Sequence, residues 1–262
     1  MTFGSLFAGI GGFDLGFERA GLTCKWQVEI DDYCNRVLEK HWPDVPRWRD
    51  VRTFPPAGDW SVDVICGGFP CQDISAANYR GQGLNGARSG LWSEFARIIR
   101  VVRPRYAVIE NVPALTFRGL DTVLSDLATL GYDAEWDTVS AEDMGAPHER
   151  ARLFIVAYPI GERCEANGIF NGSAPKTARE KQKARLRRWP GEREPGPSLP
   201  DWIRWCPDRQ LCRVVNELPD ELDRYRVLGN AVLPDAAEWI GRQLMTREPL
   251  DCGRMIAGEG RN

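Results

Sequence analysis

The alternation of short strand-like runs with helical patterns across residues 1–157 constrains this fold more than any other feature of the chain. Strands are predicted at residues 2–8, 24–30, 62–66, 106–109, 134–139 and 152–157. Helices are predicted from a glycine turn to about residue 20, and at residues 31–41, 91–102, 120–130 and 231–244. Strands and helices that alternate in this way build an α/β fold, in which helices cover both faces of a mostly parallel sheet.

Residues 158–225 differ in composition from the rest of the chain. They are rich in glycine, proline, arginine and tryptophan, and they have little periodicity. We interpret them as a small irregular lobe with long loops. The chain is therefore predicted to divide into a main domain at 1–157, the lobe at 158–225, a segment at 226–246 that returns to the main domain, and a tail at 247–262.

Composition disfavours several classes of protein. No stretch approaches the roughly 20 apolar residues of a membrane span, and the first residues lack the basic region of a signal peptide. We therefore expect a cytoplasmic chain with no membrane partner. The eight cysteines form no Cys-x-x-Cys pair and are accompanied by only two histidines, His41 and His148. No metal site is expected from this set, and most of the thiols are expected to be buried.

Charge is distributed unevenly along the chain. The formal net charge is −3, yet residues 176–193 contain eight basic and only two acidic residues. A basic segment of this kind suits a polyanionic partner such as nucleic acid. A solvated surface helix is the alternative interpretation of the same residues.

A glycine-rich turn follows the first predicted strand, at residues 7–12 with the sequence Phe-Ala-Gly-Ile-Gly-Gly. Glycines at a strand-to-helix turn let the backbone approach a ligand near the helix N-terminus. The second strand ends in Glu29, 20 residues after Gly9, where an acid suits the diol of a ribose. These features indicate a nucleoside cofactor; a plain tight turn with an exposed glutamate is the alternative. Asp14 stands where the dinucleotide fingerprint requires its third glycine, which disfavours an NAD enzyme.

Two reactive side chains follow predicted strands. Cys71 comes shortly after strand 62–66, and Glu110 directly follows strand 106–109. Ligands bind at the carboxyl edge of open α/β sheets, so a cysteine and a carboxylate there suit a nucleophile and acid pair. Arg150 and Arg152, at the start of another predicted strand, would add cations to the same cleft. The alternatives are a buried thiol, a glutamate in a helix cap or ion pair, and a solvated charged edge.

A long polar segment lies in the chain between Cys71 and Glu110. Residues 73–90 contain four glycines and two arginines. Such segments act as lids in many enzymes, and we predict a lid here. An ordinary surface loop is the alternative.

Taken together and in this order, the motifs resemble those of the cytosine-5 DNA methyltransferase family, from residue 7 to residue 232. Residues 7–12 resemble the family's cofactor loop, Glu29 its ribose-binding acid and Asp50 its adenine contact. Residues 70–72 (Pro-Cys-Gln) and 110–112 (Glu-Asn-Val) resemble its two catalytic motifs, and residues 150–152 its paired arginines. Residues 229–232 (Gly-Asn-Ala-Val) resemble the late motif that completes the cofactor pocket. His148 stands where the family has glutamine. No segment matches the family's Arg-x-x-x-x-x-x-Glu-x-x-Arg-Leu-Gln type motif, which precedes the late motif and shapes the recognition lobe.

The resemblance implies a Rossmann-like, S-adenosylmethionine-dependent methyltransferase sheet in the catalytic and cofactor-binding domain, with a target-recognition lobe at 158–225. It assigns catalysis to Cys71, Glu110, Arg150 and Arg152. It assigns cofactor binding to Phe7, Gly9, Gly11, Gly12, Glu29, Ile30, Asp50, Val51, Pro70, Leu91, Asn230 and Ala231. In the implied reaction the Cys71 thiolate adds to C6 of a flipped-out cytosine, Glu110 hydrogen-bonds N3, and C5 takes the methyl group.

The implied partner is double-stranded DNA, alongside a cognate restriction endonuclease acting separately, and a monomer is expected. The basic segment 176–193 is then expected to contact DNA phosphates without reading sequence. A tRNA cytosine-5 methyltransferase is the first alternative, disfavoured because the chain has no Cys-Phe-Thr tripeptide. A catalytically weak DNA-binding relative is the second, disfavoured because both Cys71 and Glu110 are present.

Overall fold

The structure is a computed structural model that describes residues 1–56, 58–70, 89–144, 150–161, 168–170 and 230–247. Its strands are β1 (Thr2–Leu6), β2 (Thr23–Val28), β3 (Arg47–Trp48), β4 (Val64–Gly68), β5 (Tyr106–Asn111), β6 (Tyr132–Ser140) and β7 (Ala151–Pro159). Its α-helices are α1 (Gly12–Arg19), α2 (Asp32–His41), α3 (Trp92–Val102), α4 (Leu120–Thr129) and α5 (Pro234–Met245). All the strands and helices predicted from the sequence are confirmed, with shifts of a few residues at their ends.

The seven strands form one sheet in the order β3-β2-β1-β4-β5-β7-β6. The first five pair in parallel, as predicted. β7 is antiparallel to both β5 and β6, which the sequence patterns did not reveal. The connection between β6 and β7 carries no crossover helix in its described residues, and without such a crossover consecutive strands pair antiparallel.

Helices cover both faces of the sheet, which confirms the predicted layers. Alternate residues of β4 and β5 face opposite ways, so Ile65 packs in one core and Cys66 in the other. The first core includes the apolar faces of α3 and α4, and the second includes those of α1 and α5. Central strands that are apolar on both faces are expected when both faces are covered.

Helices α1 and α5 approach each other closely on the second face. A Cβ atom added at Gly16 would lie 2.6 Å from the Cβ of Ala237 and closer still to the carbonyl oxygen of Pro234. Arg19 and Asp235 add an ion pair of 3.5 Å between the same helices. Packing of this kind requires glycine at position 16, because any side chain there would push the helices apart.

The carboxyl ends of the five parallel strands share one edge of the sheet. Leu6 pairs with Gly67, and Gly68 pairs with Glu110, so the residues that follow β1, β4 and β5 emerge side by side. In the described ranges, no helix is long and apolar enough to cross a membrane. The same ranges contain no group of three or more histidine, cysteine or acidic residues arranged to hold a metal ion.

Candidate functional site

The turn between β1 and α1 has a backbone that glycine makes possible. Gly9 has φ 58° and Gly11 has φ 85°, in the left-handed region that disfavours other residues. A Cβ at Gly11 would also lie 2.5 Å from the Trp42 ring, so the turn is closely packed on that side. Phe7 adopts φ 51° without being glycine, a conformation that costs free energy and is common at functional sites.

Asp14 lies beneath this turn and is completely buried. It accepts hydrogen bonds from Ser5 Oγ at 3.0 Å, Gln27 Nε2 at 2.8 Å and Cys24 Sγ at 3.4 Å. Burial raises the pKa of its carboxyl group, and these three donors oppose that shift. The residue in the place of a third glycine is therefore a fixed polar support between β1, β2 and α1.

Glu29 follows β2 and faces the glycine turn. Its Oε2 accepts the Gly9 N–H at 2.7 Å and its Oε1 accepts the Asp31 N–H at 2.8 Å. The residue is 8% exposed, so the alternative of a plain exposed glutamate is wrong. Burial raises the pKa of the carboxyl group, whereas the backbone donors lower it. Since a carboxylate has about four acceptor positions, positions remain for a ligand hydroxyl.

Ile30 is 61% exposed next to this carboxylate and offers an apolar surface at the edge of the sheet. Phe7, on the other side, stacks on Phe95 with ring centroids 6.4 Å apart. Leu91 ends a short 3₁₀ turn before α3 and packs against the first core. Ile30 adjoins Glu29 in the chain and Phe7 begins the glycine turn, so apolar residues flank the polar cradle formed by Gly9 and Glu29 in the sequence.

Asp50 is the N-cap of a 3₁₀ turn, Val51–Thr53. Its carboxylate is held by Arg52, whose Nε lies 2.9 Å from Oδ1 and whose Nη2 lies 2.7 Å from Oδ2. These hydrogen bonds hold the pKa of Asp50 below its usual value. Val51 is buried. No pattern in the sequence indicated that Arg52 would occupy this carboxylate.

The ends of β4 and β5 are tied together by Asn111. Its Nδ2 donates to the carbonyl oxygen of Phe69 at 3.2 Å, and its Oδ1 accepts the Val112 N–H at 2.9 Å. Pro70 follows, half-buried, at the limit of the described range. The sequence identifies Asn111 only as part of the Glu-Asn-Val motif, because no local pattern signals its hydrogen bond to the residue after β4.

Glu110 is buried at the end of β5, and glycine on the neighbouring strand makes room for it. A Cβ at Gly68 would lie 2.5 Å from Glu110 Oε2. Arg152 Nε lies 2.9 Å from Oε1 of the same carboxylate. Burial raises the pKa of Glu110 to about 7, although Arg152 and then Arg150 act to lower it.

Arg150 connects the surroundings of Glu110 to the last described segment, residues 230–247. Its Nη2 donates to the carbonyl oxygen of Ala231 at 2.7 Å. Burial lowers the pKa of Arg150 to about 10, and Arg152 adds repulsion. With the Arg152 side chain 21% exposed, the alternative of a solvated charged edge is wrong. Asn230 is exposed beside Ala231.

Two groups of predicted residues are thus brought together at one edge of the sheet. The first surrounds Gly9 and Glu29, and the second surrounds Glu110, Arg150 and Arg152.

Several predictions fall outside the described residues: Cys71, the lid at 73–90 except for its last two residues, His148, the lobe at 158–225 except for its first four residues and 168–170, the basic segment at 176–193, and Gly229.

The chain matches the family model described as C-5 cytosine-specific DNA methylase over residues 1–205. It is 31% identical over 216 residues to the type II methyltransferase M.NgoBI of Neisseria gonorrhoeae, covering 74% of this chain and 66% of that protein. It is 34% identical over 179 residues to the type II methyltransferase M.DsaV of Dactylococcopsis salina, covering 67% of this chain and 50% of that protein. The chain therefore spans between half and two thirds of the length of these two relatives.

Solved structures give the same fold. A prophage-encoded E. coli protein, described as a DNA modification methyltransferase, superposes with a TM-score of 0.51 at 28% identity, covering 61% of this chain and 47% of that one. Spodoptera frugiperda DNMT2 superposes with a TM-score of 0.53 at 20% identity, covering 63% of this chain and 52% of that one. The second likeness, at this identity, supports the fold alone.

Proposed function

This chain belongs to the C-5 cytosine-specific DNA methylase family, and from that premise we propose that it methylates C5 of cytosine in duplex DNA, with S-adenosylmethionine as methyl donor. The observation that carries the proposal is the state of Glu110. This buried carboxyl group has a pKa of about 7, is held by Arg152, and lies at the sheet edge where the chain leaves β4 for Pro70 and Cys71.

The residues around Gly9 fit the nucleoside part of the cofactor. The buried Glu29 carboxylate keeps acceptor positions for ribose hydroxyl groups. A Cβ at Gly9 would have nothing within 4 Å, so there is open space on that side of the glycine turn. Phe7 and Ile30 would contact the adenine ring, and Asp50 and Val51 its polar edge. When bound, the cofactor supplies an electrophilic methyl group on a sulfonium.

Cytosine C5 is a weak nucleophile, and the proposed role of Cys71 is to activate it. Its thiolate adds to C6, which gives C5 enamine character. Loss of the C5 proton after methylation then expels Cys71 and restores the aromatic ring. Because a base stacked in a duplex cannot reach this edge of the sheet, the target must be flipped out.

Glu110 is proposed to act at N3 of the flipped base. N3 of cytosine is a hydrogen-bond acceptor, so the carboxyl group must be protonated to donate to it. A pKa of about 7 keeps a large fraction of Glu110 protonated near neutral pH. Arg152 holds the carboxyl group in place through Oε1, 2.9 Å from Nε. The pair can therefore stabilise the charge that develops on the ring when Cys71 adds.

The remaining assignments are parts of the same proposal. Residues 1–157 form the catalytic domain, 158–225 recognise the target, and 226–246 complete the cofactor pocket through Asn230 and Ala231. Residues 76–90 close over the flipped base. The partner is duplex DNA, and any cognate endonuclease is a separate protein acting beside a monomeric methyltransferase.

The test uses duplex DNA that contains 5-fluorocytosine, in which the C5 proton is replaced and the adduct cannot be resolved. Wild-type protein with S-adenosylmethionine should form a stable covalent complex, visible as a band of reduced mobility under denaturing conditions. Cys71→Ala should form none while still binding S-adenosylhomocysteine. An adduct that persists in Cys71→Ala rejects the nucleophile, and label transferred to tRNA in preference to duplex DNA rejects the substrate.

A further inference from the structure

The 3₁₀ turn Val51–Thr53 is held locally by its N-cap Asp50, whose Oδ1 accepts the Arg52 N–H at 3.0 Å, and by Trp48 Nε1, which donates to Thr53 Oγ1 at 3.0 Å. It lies between β3 and β4 in the chain, outside the sheet ladder. Its own backbone contributes two hydrogen bonds, from Thr53 N to Asp50 O at 3.0 Å and from Phe54 N to Val51 O at 3.3 Å. Three-residue 3₁₀ turns have poor hydrogen-bond geometry. These local bonds keep the shape of the turn, and groups from α3 and from the aromatic cluster around Phe54 contact it from elsewhere in the fold.

Packing fixes one end of this turn. The ring of Phe54 lies 4.9 Å from that of Trp26 and 5.1 Å from that of Trp60, centroid to centroid, and Phe54 is buried. This aromatic cluster anchors the residue that follows the turn. At the other end, the Val51 side chain is buried in the first core, and contacts from another element hold its carbonyl oxygen.

Arg97 of α3 supplies those contacts from more than 40 residues away. Its Nη2 donates to the carbonyl oxygen of Val51 at 2.9 Å, and both terminal nitrogens reach the carbonyl oxygen of Phe54 at 3.3 Å. Its Nε donates to Glu94 Oε2 at 2.6 Å, which aims the guanidinium at the turn. A cation on the carbonyl end of a helical turn is favourable, and charge-assisted hydrogen bonds are among the stronger ones.

Arg97 acts on the backbone and not on the carboxylate beside it. The Asp50 carboxylate is held by Arg52, whereas the hydrogen bonds of Arg97 go to Val51, Phe54 and Glu94. The Val51 carbonyl belongs to the residue next to Asp50, and the backbone would transmit a shift of Val51 to Asp50. A hydrogen bond weakens steeply as its distance and angle depart from ideal values.

We propose that Arg97 is a positioning residue that sets the turn at Asp50 and Val51 for recognition of the exocyclic amine of the cofactor's adenine. This inference rests on the proposed function, which brings S-adenosylmethionine to that turn. A general role of Arg97 in stability would affect every ligand alike. The proposed role affects only the contact with the exocyclic amine of the adenine.

Calorimetry with two ligands tests it. One is S-adenosylhomocysteine, and the other is its analogue in which the purine lacks the 6-amino group. Arg97→Gln should weaken binding of S-adenosylhomocysteine about tenfold, the loss of one charge-assisted hydrogen bond. It should leave the affinity for the deaminated analogue within roughly twofold of wild type, since that ligand has no amine to misplace.

Two further variants keep the experiment decisive. Arg100→Gln removes the same charge from an exposed position of the same helix and should leave both affinities unchanged. Arg97→Lys is a milder change that serves if Arg97→Gln does not fold. It should lose part of the selectivity for the amine, because an ammonium cannot reproduce the forked hydrogen bonds of a guanidinium. Thermal unfolding without ligand reports any general loss of stability.

The outcomes separate the inference from its premise. Equal weakening of both ligands in the Arg97 variants would make Arg97 merely structural and overturn the inference. Unchanged binding of both ligands would overturn it as well. If wild-type protein binds neither ligand, the proposed function fails and the inference with it.

Discussion

At the scale of single residues, the site depends on charges that are buried and then compensated. Glu110 is buried between Gly68 and Arg152, and Glu29 between two backbone N–H groups. The two carboxyl groups lie at the same sheet edge, but their partners differ in charge. Burial raises the pKa of Glu110 to about 7 while the cation Arg152 opposes that shift, whereas neutral backbone donors hold Glu29.

Glu110 should make stability depend on pH in a defined window. Its pKa rises from 4.5 to about 7 on folding, so between these values the folded protein binds a proton that the unfolded chain has lost. The contribution of Glu110 to the free energy of unfolding therefore falls as pH rises through this window, and it is constant above the window. In Glu110→Gln this contribution vanishes. The difference in free energy of unfolding between wild type and Glu110→Gln should therefore change by about 3 kcal/mol across the window. Urea unfolding of both proteins at a series of pH values measures it; parallel curves would contradict the assignment.

Glu29→Ala should weaken binding of S-adenosylhomocysteine by about 1.5–3 kcal/mol, the value of a charge-assisted hydrogen bond. The substitution removes the carboxylate proposed to bind the ribose. Among the described residues, this is the only carboxylate that accepts the Gly9 N–H, and that hydrogen bond also orients the glycine turn. Calorimetry gives the dissociation constant, and Glu39→Ala, at an exposed position of α2, serves as the control. An unchanged constant in Glu29→Ala would reject the ribose contact.

At the scale of elements, the packing of α5 on α1 connects the last described segment, residues 230–247, to the glycine turn. α1 begins at Gly12, where an added Cβ would lie 3.2 Å from the Cβ of Val232. The Arg150 guanidinium reaches the carbonyl oxygen of Ala231 in the same stretch. Residues 230–234 are thus held between the glycine turn and the arginine beside Glu110, so both parts of the site depend on this helix pair.

Gly16→Ala should destabilise the protein through this helix pair. Its Cβ would come within 2.6 Å of Ala237 Cβ, with backbone of α5 closer still, and rigid backbone cannot give way as a flexible side chain can. Overpacking of this kind costs about 1–3 kcal/mol. Thermal or urea unfolding measures the loss, and Glu18→Ala, exposed on the same helix, should change stability little. A Gly16→Ala protein as stable as wild type would show that α5 is not tightly packed on α1.

Elements with a strong apolar pattern could be predicted from the sequence, and those without one could not. Helix α3 was found within a residue because apolar residues recur along it at the helix period, and strand β5 within two residues because it opens with a continuous apolar run. β3 has only two residues and carries no pattern, and the direction of β7 depends on its connection. Within the site, Glu29 and Glu110 follow from their places after strands. The Arg97 and Arg52 contacts join residues through tertiary packing or side-chain conformation, which no local pattern encodes.

At the scale of the whole molecule, charge is segregated in a way that suits a polyanion. The net charge is −3, while residues 176–193 combine eight basic with two acidic residues. DNA releases counterions wherever a basic side chain neutralises a phosphate, so affinity falls as salt rises. Since phosphate contacts are the same for every sequence, a basic segment of this kind provides affinity without selecting a site.

Replacing four basic residues of this segment by serine should therefore weaken binding to all duplexes alike: Lys181, Lys183, Arg187 and Arg188. The plot of log affinity against log salt should become shallower by about two to four units, because each phosphate that is no longer neutralised removes about 0.9 from the slope. A matched control removes the same charge from exposed positions of the described domain, namely Lys25, Arg36, Lys40 and Arg100, and should leave the slope unchanged. Fluorescence anisotropy with labelled duplexes at several salt concentrations gives both slopes, and sequencing of methylated DNA gives the target site. An unchanged slope would mean that the segment does not touch DNA, and a changed methylation site would mean that it reads bases.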